Sequence, residues 1–142
     1  MQEQVSLWLS GIDSQFELQE GECCLQHESG IPFSVICPQN SDSVTFLATL
    51  FVLPSLDIYV PLLQQVLILN LDAEKMKGCW LGLSGNSITL CRTQSIESLD
   101  EVGFYNVFMH FFSLALELRD MEKLSTDSHS KIDIQEKHYT RV

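Results

Sequence analysis

Positive charge is missing from the first half of this chain. No Lys or Arg occurs before Lys75, whereas ten carboxylates lie between Glu3 and Glu74. All eight basic residues come from Lys75 onward, and the formal net charge is −11. A protein that holds a duplex needs Lys and Arg to displace counterions from phosphate, which makes nucleic acid a poor partner. Anionic membrane surfaces are disfavoured on the same ground. The acidity fits two roles: keeping a cytosolic protein soluble, or meeting a cationic or apolar polypeptide.

The marks of chemistry are also absent. There is no P-loop, no GxGxxG, no EF-hand loop and no zinc-ligand spacing. The five cysteines (Cys23, Cys24, Cys37, Cys79 and Cys91) are an odd number without CxxC, which argues for reduced thiols rather than a disulfide scaffold. Cys24 and His27 are close in sequence, but three residues apart on a strand they face opposite ways. "GLSG" at Gly82 to Gly85 is one residue short of a nucleophile elbow and leads into a hairpin rather than a helix. His110 lies among phenylalanines and reads as structural, and His129 and His138 are too far apart for a defined ligand pair. The pair Asp100-Glu101 already has a helix-capping explanation. The sequence therefore predicts no enzyme, no metal site and no cofactor.

Long uninterrupted apolar runs are lacking too. The stretch Val44 to Leu71 is broken by Pro54, Asp57, Pro61 and Gln64-Gln65, short of the ~20 apolar residues that a spanning helix needs. The N-terminal "MQEQVSLWLSGIDS" has no basic region and too short an apolar run for a signal peptide. The expectation is a soluble intracellular protein. At 142 residues with an apolar fraction of 45%, it should form one domain with a real core.

What is present is a pattern of alternating and helical segments with no internal repeat. Val5, Trp8 and Leu9 predict a short first helix ended by Gly11. Phe16 and Leu18, then Cys23, Leu25 and His27, then Ile31, Phe33 and Val35 alternate as strands do, with a turn at Ser29-Gly30. "SVTFLATLFVL" is the longest strand: Val44, Phe46, Ala48, Leu50 and Val52 share one face. Leu47, Phe51 and Leu53 make the other face largely apolar, so both faces should be covered. A helix is expected from about Val60 to Leu71, with Pro61 in its first turn, and apolar residues wrap nearly all of it. Gly85-Asn86 sits between two alternating runs as a type II′ hairpin turn. "SLDE" at Ser98 to Glu101 reads as a capping box for a last helix reaching about Leu124. That helix carries the stripe Phe104, Phe108, Phe111, Ala115 and Leu118, broadened by Tyr105, Met109, Phe112 and Leu116. Residues 125–142 lose periodicity and read as a flexible tail. The fold class is α+β, with helices packed on an antiparallel sheet. Apolar residues exceed what one thin core uses, which points to an interface.

The order of these segments, "LWLSGIDSQFELQEGECCLQHESGIPFSVIC", a long strand, "LLQQVLILNLDAEKMKGCWLGLSGNSITLCRT" and a capped final helix, resembles the class I chaperones of bacterial type III secretion, the CesT-like or Tir-chaperone family. Leu69-Asn70-Leu71, Gly78 and "SITL" occupy places that this family's pattern repeats. The likeness covers about residues 1–124. It implies the order α-β-β-β-α-β-β-α, a homodimer joined through the middle helix and the neighbouring hairpin strand, and a location in the bacterial cytoplasm. The protein would hold the N-terminal segment of a secreted effector extended and export-competent, without ATP. The implied dimer residues are Leu62, Val66, Leu69, Leu81 and Leu83, with Trp80 either interface or core. The implied effector-binding residues are Val5, Trp8, Phe33, Val35 and Phe46. The competing readings are a small dimeric α+β scaffold or regulatory protein that binds a folded partner, and a small cysteine enzyme using Cys23 or Cys24.

Overall fold

The computed structural model describes residues 1–54 and 60–121. Its elements follow the expected order: α1 (Gln2–Ile12), β1 (Glu22–Gln26), β2 (Pro32–Ile36), β3 (Ser43–Val52), α2 (Val60–Leu69), β4 (Trp80–Ser84), β5 (Ser87–Ser95) and α4 (Glu101–Leu118). A four-residue helix, α3 (Ala73–Met76), lies between α2 and β4. The five strands form one antiparallel sheet in the order β1-β2-β3-β5-β4, so β1 and β4 are its edges.

Alternation decides which way each strand faces. Cys23, Phe33, Val35, Val44, Phe46, Ala48, Leu81, Ile88 and Leu90 all point to one side and are buried there. α4 lies on that side because its 3.6-residue period brings Phe104, Phe108, Phe111, Leu114, Ala115 and Leu118 onto a single face. Phe46 packs at ring distances of 5.7 Å from Phe104 and 5.6 Å from Phe111. Trp8 of α1 meets Phe104 at 5.3 Å and closes the layer. Each buried phenylalanine contributes about 2–3 kcal/mol, which is what fixes a helix of this composition to the sheet.

The other side of the sheet carries Ser34, Thr45, Leu47, Thr49, Thr89 and Thr93, and no described element covers it. Two covered faces were expected. The difference arises at a bulge in β3: pairing passes from Thr49↔Thr89 to Phe51↔Ile88, leaving Leu50 as the extra residue. One inserted residue exchanges the faces beyond it. Val52 is thereby turned to the open side and Leu53 is buried, leaving Leu47 and Val52 as the apolar residues on the open side of β3.

Four further expectations are corrected. α1 runs to Ile12, with Gly11 inside it and Asp13 as C-cap. Phe16 and Leu18 form no strand; a turn with φ of 53° at Glu20 and 81° at Gly21 joins Gln19 to Glu22 in a lone bridge. Only glycine serves at Gly21, since an added Cβ would lie 2.9 Å from the Cys37 carbonyl oxygen. Ser98 and Glu101 form no capping box. Asp100 caps α4, accepting from the Gly103 N–H at 2.6 Å, while the Ser98 hydroxyl donates to the Ser95 carbonyl. At the hairpin, Gly85 alone of the two turn residues has positive φ, 58°, as a type II′ turn requires. The last helix ends at Leu118 with Arg119 as its C-cap, short of the expected Leu124. The expected tail, residues 125–142, lies outside the described residues.

Candidate functional site

The two edges of the sheet differ, and the difference follows from backbone direction. In an antiparallel pair, alternate residues turn both N–H and C=O outward. On β1, Glu22 is one of these, since it exchanges both bonds with Gln19. Cys24 and Gln26 therefore also present their backbone groups outward. The chain from Gln15 to Gln19 pairs with β1 at Gln19 and then diverges, leaving a groove of about 410 Å³ along the edge, walled by Phe16 and Glu17 and floored by Leu25. Across the Phe16-Glu17 segment a larger groove, about 850 Å³, runs against the exposed side of α1 with Glu3, Ser6 and Leu7 on its wall. Phe16 is anchored between the two by Phe108, at a ring distance of 6.4 Å. The Ser6 hydroxyl accepts from the Leu18 N–H at 3.3 Å, holding the dividing segment on α1.

The β4 edge is blocked. Asn70, just past α2, accepts from the Leu81 N–H at 2.8 Å and donates to the Leu81 carbonyl at 3.0 Å. One side-chain amide thus takes the place of a neighbouring strand at the centre of that edge. Both bonds also bind α2 to the hairpin. α2 presents Leu62 and Val66 inward, and its outer side leaves Leu67 and Ile68 exposed at 67% and 68%, with Leu71 beyond it at 86%. Trp80 and Leu83 of β4 are also exposed, so the chain leaves large apolar side chains of both α2 and β4 uncovered.

The sequence-predicted site residues fall differently between core and surface. Val5, Trp8, Phe33, Val35 and Phe46 are brought together, but inside the core beneath α4, where none is more than 6% exposed. Leu62, Val66 and Leu81 are likewise buried in the chain's own core; Leu69 is half-buried and Leu83 exposed. Face alternation had found the core side of each element, which the chain covers itself. Sequence reasoning missed Leu7, Phe16 and the outward backbone of Cys24 and Gln26. Leu7 did carry a signal, being an apolar residue on the polar side of the first helix. The edge groove depends on how the chain returns after Gly21, which no pattern records.

The arrangement offers little to covalent chemistry. Burial pushes the Cys23, Cys37, Cys79 and Cys91 thiols upward from their ordinary range, which leaves them protonated and weakly nucleophilic. Cys24 lies on the open side, its sulfur 4.0 Å from the Ser34 hydroxyl, while the His27 ring packs edge-on against Phe112 on the covered side. Burial also lowers the His110 pKa, helped by the nearby charges of Arg92 and Lys77 and opposed by a bond to the Lys75 backbone. Among the described residues no group of His, Cys, Asp or Glu could hold a metal ion, and no helix is long and apolar enough to cross a membrane.

A two-layered arrangement of this kind, with helices on one face of a five-stranded antiparallel sheet, is the secretion-chaperone fold. Chains of three solved complexes share it. One is from the ExsC-ExsE complex (TM-score 0.66, 12% identity, 84% of this chain and 93% of that one). Another is from the HopA1-SchA chaperone-effector complex (0.64, 14%, 83% and 91%). A third is from the ExoU-SpcU complex of the type III secretion system of Pseudomonas aeruginosa (0.64, 13%, 82% and 96%). No curated protein sequence matches this chain. The family model of the Tir chaperone proteins (CesT) matches residues 9–119, and the chain belongs to that family.

Proposed function

We propose that the protein is a cytoplasmic chaperone of a bacterial type III secretion system, which binds the N-terminal segment of an effector in extended form and keeps it export-competent without ATP. The observation that carries this reading is the β1 edge: outward backbone groups at Cys24 and Gln26, lying in a groove with Phe16 on its wall and Leu25 on its floor. Such an edge takes an added strand, whose main chain supplies hydrogen bonds while alternate side chains enter the flanking pockets. Ordering a flexible segment costs conformational entropy, and the long contact along both grooves offsets it. Two copies join through the outer side of α2, with Leu67, Ile68, Leu71, Trp80 and Leu83 in the contact. The Asn70 block means that they meet by side chains rather than by continuing the sheet through Leu81. Residues 1–124 form the working domain, and residues 125–142 a tail.

Co-purification of the tagged protein from its host's cytosol, followed by mass spectrometry and limited proteolysis, tests this. One partner whose N-terminal segment is selectively protected is the expected result. A partner protected as a folded whole, or no partner, overturns the reading in favour of a scaffold.

A further inference from the structure

Charge at the two grooves is of one sign. Glu3, Glu17 and Glu20 line the larger groove, Glu17 and Glu22 the edge groove, and neither is lined by a cation among the described residues. Residues 1–54 contain seven carboxylates and no Lys or Arg. The described ion pairs, Lys75–Glu117 and Arg119–Asp120, involve none of the groove carboxylates. Four like charges therefore gather around an apolar floor, and a bound neutral segment would leave their repulsion in place.

The register at β1 says where opposite charge would go. Glu22, Cys24 and Gln26 direct their side chains to the open side of the sheet, and Cys23 and Leu25 to the covered side. A strand added along this edge alternates in the same way. Its residues on the covered side meet Leu25 and Phe16, and those on the open side pass Glu22. Where the segment continues past Glu17 and Glu20, it reaches Leu7 and Glu3 on α1.

We propose that the segment this groove accepts is basic, with Lys or Arg alternating with apolar residues, and that the groove carboxylates select it. The proposal rests on the extended-segment reading above and adds the chemistry of the segment. Charge complementarity of this kind raises the association rate and excludes acidic competitors more than it raises ultimate affinity.

The test uses the full chain and two synthetic peptides of about ten residues, enough to span the edge and the dividing segment. Both carry Val at alternate positions; one has Lys between them and the other Ser. The Lys peptide should bind about tenfold more tightly, as three exposed ion pairs allow. That advantage should fall when salt is raised from about 50 to about 500 mM. Glu17→Gln, Glu20→Gln and Glu22→Gln together should abolish it, whereas Glu74→Gln with Glu97→Gln, away from β1, should not. Carbodiimide coupling should join the peptide's lysines to Glu3, Glu17, Glu20 or Glu22. Equal binding of the two peptides overturns the proposal and leaves the extended-segment reading standing. Binding of neither overturns both. An equal loss from the Glu74 and Glu97 changes reduces the effect to net charge and overturns the proposal. Coupling of the groove carboxylates only to this chain's own Lys123, Lys131 or Lys137 does the same, because its C-terminal segment is then the occupant.

Discussion

Val66 and Ile68 stand two positions apart on α2 and face opposite ways, 6% and 68% exposed. Placing Asp at each separates core from contact surface. Val66→Asp removes about 2 kcal/mol of valine burial. It also puts a carboxyl among apolar groups without a partner, costing about 2 kcal/mol more even when the group protonates. A loss of about 4 kcal/mol is a large part of the 5–15 kcal/mol that holds a domain together. For a chain of this size it lowers Tm by roughly 12–20 °C. Ile68→Asp should leave the isolated chain within about 0.5 kcal/mol of the parent. In the proposed dimer, however, the same carboxylate would be buried in the contact. Light scattering on eluting peaks should therefore give half the parent's mass for Ile68→Asp. Melting followed by circular dichroism should show a parent Tm that rises with concentration and an Ile68→Asp Tm that does not. A full dimer mass for Ile68→Asp refutes the assignment of α2's outer face. Equal loss of Tm in both variants refutes the division of the helix into two faces.

Three other outcomes are expected. Asn70→Leu should remove both bonds to Leu81, costing about 1–2 kcal/mol, and should promote association through the unblocked β4 edge; an unchanged melt and no new oligomer would count against the blocking role. Asp100→Ala should cost about 1 kcal/mol in chemical denaturation through loss of the α4 cap, and Ser98→Ala much less; the reverse order would restore the capping box. His110, whose folded-state pKa lies below its ordinary 6.5, binds its proton more readily when unfolded. Its neutral form costs nothing above pH 6.5, and stability is lost as pH falls below 6.5 toward the lowered value. Tm should drop between pH 7.5 and 5.5, and His110→Asn should flatten that slope; a slope unchanged by the substitution would place its origin elsewhere.

The sequence by itself determined the order of elements and most of the core. Alternation in β2, β3 and β5 and the helical stripe from Phe104 to Leu118 each have a period that burial on one side imposes, so they can be read without coordinates. The Gly85-Asn86 turn was legible for a similar reason, because backbone geometry there depends on two residues alone. It also determined the family resemblance, which is a matter of that same order. Which side of α2 faces inward was not legible, since a helix apolar all round has no preferred side until β4 and Asn70 supply one. The bulge at Leu50 reversed Val52 and Leu53 through a pairing 37 residues away in sequence, between Phe51 and Ile88. The grooves lay beyond any pattern, because they are spaces between segments rather than properties of one. Local periodicity reports what each element buries; only tertiary structure decides which edges and faces are left over, and a chaperone works with what is left over.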